Sequence, residues 1–152
     1  MTVEEIMTRN VLTVSPATSI HDAARIMVEH GVSGLPVLER GQLVGIITEG
    51  DLILRQGRRT DRPWWRSLFQ DGEQLVRDYQ KATGMTVGEV MTRPVASIAP
   101  AWGIDMAASI MQNRGVRRLP VVHGGQLVGI VSRADLIQAL ARAGARCPTC
   151  SA

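Results

Sequence analysis

Gly41-Gln42-Leu43-Val44-Gly45-Ile46 returns, in the same order, as Gly125-Gln126-Leu127-Val128-Gly129-Ile130. The match extends in both directions without a gap. Upstream, Met7-Thr8-Arg9 meets Met91-Thr92-Arg93, and Pro16-Ala17 meets Pro100-Ala101. Ala23-Ala24 with Ile26-Met27 meets Ala107-Ala108 with Ile110-Met111, and Leu35-Pro36-Val37 meets Leu119-Pro120-Val121. Downstream, Asp51-Leu52-Ile53 meets Asp135-Leu136-Ile137. Register held over about fifty residues marks an internal duplication, and two copies are too few for a solenoid. A closed pair related by a pseudo-two-fold is the expected alternative.

Each copy carries the same local signals. Thr13-Val14, and Ser97-Ile98 in the second copy, form a short extended piece before a proline. Ser19 can cap a helix with Asp22 at the box position. Ile20, Ala23, Ala24, Met27 and Val28 then make an apolar stripe at helical spacing. Gly31 falls where a left-handed residue ends a helix. Leu35–Leu38 and Leu43–Thr48 are short apolar runs joined by Glu39-Arg40-Gly41-Gln42, a hairpin signature. A second helix follows Thr48 and runs through Leu54. The expected fold class is α/β (α+β), with two strand-helix-strand-strand-helix repeats packed sheet to sheet and a short helical insert between them. One repeat alone is too small to bury both faces of its sheet. The segments are 3–55, 56–86, 87–140 and a flexible tail, 141–152.

In the insert, Pro63 suits a helix start. Trp65, Leu68 and Phe69 share a face, and Leu75, Val76 and Tyr79 share another, so two short amphipathic helices are expected. Four of the five aromatic residues lie there, Trp64, Trp65, Phe69 and Tyr79. They pack locally or anchor a partner surface. The tail holds both cysteines, Cys147 and Cys150, as Cys-x-x-Cys. Four ligands close a structural zinc site, so this pair is half of one, a redox pair across a dimer, or a frayed reduced terminus.

The whole chain has 152 residues, 45% hydrophobic and 20% charged, which suits a globular body. Its net charge of +3 is scattered except at Arg55-Gln56-Gly57-Arg58-Arg59 and Arg117-Arg118, which argues against a nucleic-acid footprint. No apolar run approaches the roughly 20 residues that span a bilayer. The acidic start lacks a secretory apolar segment, so a cytoplasmic location is expected. Gly-x-Ser-x-Gly, His-Glu-x-x-His and a phosphate-binding loop are all missing, and a repeated Asp fits paired binding sites better than one catalytic centre.

Thr48-Glu49-Gly50-Asp51 and Ser132-Arg133-Ala134-Asp135 end a strand and open a helix. The first helical turn offers free N–H groups to an anion. A carboxylate there can accept hydrogen bonds from two ligand hydroxyls at once. The same Thr/Ser and Asp also serve as helix caps, and the two roles are compatible. At the strand entry the copies differ: Ser33-Gly34 in the first, Arg117-Arg118 in the second. Arginine forks match phosphate oxygens. Adjacent strand residues point to opposite faces, so one arginine of the pair faces a given pocket.

Gly-Val-x-x-Leu-Pro-Val, Leu-Val-Gly-Ile and Thr/Ser-x-x-Asp, in that order and twice, resemble the CBS (cystathionine β-synthase) domain, and the tandem resembles a Bateman module. The insert, with Arg-Pro-Trp-Trp, is similar to that of stand-alone bacterial CBS-pair signal-transduction proteins. The resemblance implies a regulatory module, not an enzyme, that binds AMP, ADP, ATP or S-adenosylmethionine in clefts between the repeats. It places the ribose on Asp51 with Thr48 and on Asp135 with Ser132. It places phosphate on Arg117 and Arg118, while Ser33 and Gly34 leave room in the other pocket. Adenine is expected against Leu35-Pro36, Leu119-Pro120 and the extended pieces at Thr13 and Ser97. Trp102 flanks a pocket or an interface. The resemblance further implies a flat homodimer and an effector protein acting in trans, with no catalytic cofactor. The alternatives are an interaction scaffold built on the aromatic insert, or a redox or zinc sensor at Cys147 and Cys150.

Overall fold

The structure is a computed structural model, and it describes residues 1–54 and 85–144. The expected insert helices and the Cys147-Cys150 pair lie outside the described residues. The elements run α1 (Val3–Ile6), α2 (Ile20–His30), β1 (Gly34–Glu39), β2 (Gln42–Thr48), α3 (Glu49–Leu54), α4 (Val87–Val90), α5 (Ile104–Arg114), β3 (Arg118–His123), β4 (Gln126–Ser132) and α6 (Arg133–Gly144). This is a mixed α/β protein with two antiparallel two-stranded sheets, β1-β2 and β3-β4.

Local chemistry sets the element ends. The Ser19 hydroxyl accepts the Asp22 N–H at 3.0 Å and starts α2. Gly31 ends it in the left-handed region, φ 62°, and Gly115 ends α5 in the same way, φ 64°. The hairpin loops are Arg40-Gly41 and Gly124-Gly125, every one of these residues having positive φ. Two consecutive positive-φ residues make the turn whose twist matches that of the flanking strands. Register runs from Gly34↔Thr48 to Glu39↔Gln42, and from Arg118↔Ser132 to His123↔Gln126.

Each sheet gains a bridge on both edges. Val14 lies parallel to Val37 on the outer side of β1: its N–H donates to the Pro36 carbonyl, 3.1 Å, and its carbonyl accepts from Leu38, 2.9 Å. Ile98 repeats this on β3, beside Val121. The extended piece expected at Thr13-Val14 is therefore a single bridge. On the other edge, Thr92 pairs with Ile46 of β2, and Thr8 pairs with Ile130 of β4. Each bridge satisfies two backbone groups on the edge it joins.

Those last bridges exchange material between the repeats. The chain divides into two compact units: Met1–Val11 with Ala96–Ala152, and Leu12–Val95. We call these unit 1 and unit 2. Each contains the opening segment of the other sequence repeat. Unit 2 buries Val87, Val90 and Met91 with Val14, Ile20, Leu35, Val37 and Ile47. Unit 1 buries Val3 and Met7 with Ile98, Met111, Leu119, Val121 and Val131. Glycine permits the seat: a Cβ at Gly45 would lie 2.4 Å from the Met91 sulfur, and one at Gly129 would lie 2.6 Å from the Met7 sulfur.

Three details differ from the sequence reading. Helices α1 and α4 open the repeats and were not expected. Their signal is a Thr-x-x-Glu pattern: the Thr86 N–H donates to the Glu89 carboxylate at 3.3 Å, and the Thr2 N–H and hydroxyl both donate to Glu5. Val28 belongs to the expected stripe yet is 82% exposed. The buried face is narrower, Ile20, Ala23 and Met27. Residues 141–144 are the last turn of α6, not part of a tail. No helix among the described residues is long and apolar enough to cross a membrane.

Candidate functional site

The candidate set in unit 2 forms where β2 passes into α3. Thr48 donates its N–H (3.0 Å) and its hydroxyl (3.1 Å) to Asp51 Oδ2, and the Asp51 N–H donates back to Thr48 Oγ1 at 3.3 Å. Spacing i, i+3 across a helix start gives this reciprocal cap. Unit 1 repeats it with shorter contacts. Ser132 donates its N–H and hydroxyl to Asp135 Oδ2, each at 2.7 Å, and accepts the Asp135 N–H at 3.4 Å. Capping is therefore present in both units.

The strand entries adjoin these caps. Gly34 is the register partner of Thr48, and the Ser33 carbonyl accepts the Glu49 N–H at 3.1 Å. Arg118 is the partner of Ser132, and the Arg117 carbonyl accepts the Arg133 N–H at 3.0 Å. The fold thus joins Ser33, Gly34, Thr48 and Asp51 in unit 2, and Arg117, Arg118, Ser132 and Asp135 in unit 1. Equivalent positions in the two units differ in charge. Ser33, Gly34 and Glu49 carry a formal charge of −1, and Arg117, Arg118 and Arg133 carry +3. Arg117 and Arg133 are exposed, and Arg118 is half-buried.

The two carboxylates are held differently. Asp51 is 8% exposed, and its Oδ1 accepts the Thr92 hydroxyl at 2.9 Å. Asp135 is half-buried, and its Oδ1 accepts no hydrogen bond among the described residues. Thr92 was visible in sequence only as an anchor of the repeat. Its approach to Asp51 depends on the exchanged segment, which no local pattern announces.

The expected adenine walls sit elsewhere. Leu35, Leu119, Pro36 and Pro120 are fully buried core side chains that present no open surface. The Pro36 and Pro120 carbonyls are taken by Val14 and Ile98. Thr13 and Ser97 are exposed beside those bridges. An open cleft of about 380 Å³ in unit 2 lies between α2 and α3, walled by Met27, Val28, Val32 and Leu52 with Ser33 and Glu49. It meets the candidate set only at Ser33. Trp102 is about half exposed. Among the described residues, no three His, Cys, Asp or Glu side chains are placed to share a metal ion.

Fold and site together define a duplicated α/β module in which a hydroxyl-carboxylate pair is built twice. The CBS domain family model matches residues 3–57 and 87–142, and the chain belongs to that family. It is 35% identical over 137 residues to the CBS domain-containing protein YhcV of Bacillus subtilis, covering 88% of this chain and 81% of that one. It is 33% identical over 134 residues to an inosine-5'-monophosphate dehydrogenase of Korarchaeum cryptofilum, but spans only 23% of that enzyme. The crystal structure of CBSX2 in complex with AMP superposes with a TM-score of 0.70 at 29% identity, covering 94% of this chain and 98% of that one. The CBS domain pair of MJ0100, in complex with 5'-methylthioadenosine and S-adenosyl-L-methionine, gives 0.72 at 25% identity, with coverage of 94% and 98%.

Proposed function

We propose that this chain is a cytoplasmic regulatory module that binds an adenosine-containing ligand and has no catalytic role. One observation carries the reading. In unit 1, Asp135 is fixed to Ser132 through one oxygen, its other oxygen accepts nothing among the described residues, and three arginines stand on the adjoining backbone. A positioned carboxylate suits a ribose diol, and arginine suits phosphate. The AMP and S-adenosylmethionine complexes of similar chains support the ligand class. Unit 1 is thus the site for a phosphorylated nucleotide. Unit 2, with Ser33, Gly34 and Glu49, suits an adenosine ligand with little negative charge.

Binding acts by biasing two conformations of the module, as far as its affinities for them differ. Trp102, Met106, Ile137 and Leu140 leave apolar surface exposed in unit 1, which supports self-association as the readout to a partner. A thermal-shift panel of AMP, ADP, ATP and S-adenosylmethionine tests the reading. A ligand at 100 times its Kd stabilises by about 2.7 kcal/mol. At roughly 2–4 °C per kcal/mol, that raises Tm by about 5–11 °C. No shift with any of them refutes the reading.

A further inference from the structure

We infer that Thr92 is a latch on the unit 2 carboxylate, and that its repeat counterpart Thr8 shows the same latch open. The inference rests on the ligand-sensing reading and adds a means of regulation to it.

The two threonines occupy equivalent backbone positions. Thr92 exchanges backbone hydrogen bonds with Ile46, 2.9 and 3.3 Å, and Thr8 exchanges them with Ile130, 2.9 and 3.0 Å. Both precede an arginine and follow a buried methionine. The side chains differ. The Thr92 hydroxyl donates to Asp51 Oδ1 at 2.9 Å across 41 residues of sequence. The exposed Thr8 hydroxyl makes no hydrogen bond with any described residue, and Asp135 Oδ1 accepts none. With the backbone bridges alike, a turn of one threonine side chain is the smallest change that separates the states.

The consequence follows from what a diol needs. A ribose hydroxyl is accepted most readily by a carboxylate oxygen that holds no other donor, and Oδ2 is already engaged by the cap in both units. Asp51 has Oδ2 committed to Thr48, Oδ1 committed to Thr92, and 8% of its surface exposed. A ribose hydroxyl therefore competes with the Thr92 hydroxyl for Oδ1 of a nearly buried Asp51. Asp135 presents no such competition. Unit 1 therefore fills first, and unit 2 fills with release of a residue that belongs by sequence to the second repeat. The device reports occupancy of one repeat's aspartate to the opening segment of the other.

The test is calorimetric titration of the full chain with AMP and with adenosine, which lacks the phosphate. Asp135→Ala isolates the Asp51 site; Asp135→Asn, whose carbonyl oxygen still caps Ser132, replaces it if the alanine variant does not fold. In that background, Thr92→Val is expected to tighten adenosine binding by about tenfold, the worth of one hydrogen bond to a charged group. Thr92→Ser keeps the donor and leaves binding within about twofold. Thr8→Val changes nothing at Asp51. Weaker or unchanged binding in Thr92→Val overturns the latch, because Thr92 would then only orient Asp51. Failure of the wild-type chain to bind either probe overturns the sensing reading itself and the latch with it.

Discussion

Substituting alanine at Gly45 tests whether the opening segment of the second repeat is seated in the core of unit 2. A Cβ there would lie 2.4 Å from the Met91 sulfur, 3.0 Å from its Cγ and 3.3 Å from its Cε. Optimal carbon contacts are about 3.5–4.0 Å, so the overlap is on the order of 1 Å. Met91 is buried, and the segment around it is pinned by the Thr92–Ile46 bridge. Overpacking of this kind costs about 1–3 kcal/mol. At roughly 2–4 °C per kcal/mol for a chain of this length, Gly45→Ala lowers Tm by about 2–12 °C. Adding Met91→Ala removes the obstructing side chain. That change alone costs about 2–5 kcal/mol, but the double variant should be no worse than Met91→Ala. At Gly129 relief is smaller. There the added Cβ meets the Met7 sulfur at 2.6 Å and also the Thr8 carbonyl oxygen at 3.0 Å, and no side-chain change moves that oxygen. Gly129→Ala with Met7→Ala therefore stays less stable than Met7→Ala. Reversible melts of the four single and two double variants decide it. Additive losses at Gly45 and Met91, within about 0.5 kcal/mol, refute the seat.

Three further outcomes follow from the same contacts. Ser19→Ala removes the hydroxyl that accepts the Asp22 N–H and lowers stability by about 1 kcal/mol; a denaturant midpoint equal to wild type would deny the cap. Because Arg117 and Arg118 alternate along the chain at the β3 entry, one of Arg117→Ala and Arg118→Ala weakens AMP about tenfold and the other stays within about twofold, whereas equal losses in a titration contradict the alternation. The Glu5 carboxyl is held below its ordinary range by the Thr2 N–H and then by the Thr2 hydroxyl. A depressed folded value means that this support is full above the unfolded value and is lost as pH falls through the folded one. An NMR titration of Glu5 should show the low midpoint, and Thr2→Ala should raise it; an unmoved midpoint removes the hydroxyl from the account.

Wherever a short-range rule governs, the residues announce the structure. Ser19 and Gly31 bound α2 because a cap and a left-handed stop depend on neighbours a few positions away. Arg40-Gly41 makes the hairpin for the same reason. Ser33, Gly34, Thr48 and Asp51 come together because a hairpin returns the end of β2 to the start of β1. What periodicity does not reach is pairing between distant segments. Leu35 and Pro36 look like surface for a ligand until the cores are known, and both are fully buried. Val28 fits the helical stripe yet is largely exposed. Thr92 carries no local sign of its bond to Asp51, since 41 residues separate them.

The exchange of opening segments gives duplication a physical purpose that two independent copies would lack. Thr92 is bridged to β2 in unit 2, while Ile98, six residues further on, is bridged to β3 in unit 1. Thr8 on β4 and Val14 on β1 make the same connection in the opposite sense. Each crossing is covalent and short, six residues from one bridge to the next. In unit 2 the crossing begins at the residue whose hydroxyl holds Asp51. In unit 1 the matching hydroxyl makes no hydrogen bond with the described residues. On the proposed reading, a ligand that replaces Thr92 on Asp51 acts on the segment that carries Thr92. One that binds Asp135 meets no such obstacle. Equal sequences at Thr8 and Thr92 thus sit in unequal side-chain hydrogen bonding, which is the asymmetry the titration of the Thr92 variants reads.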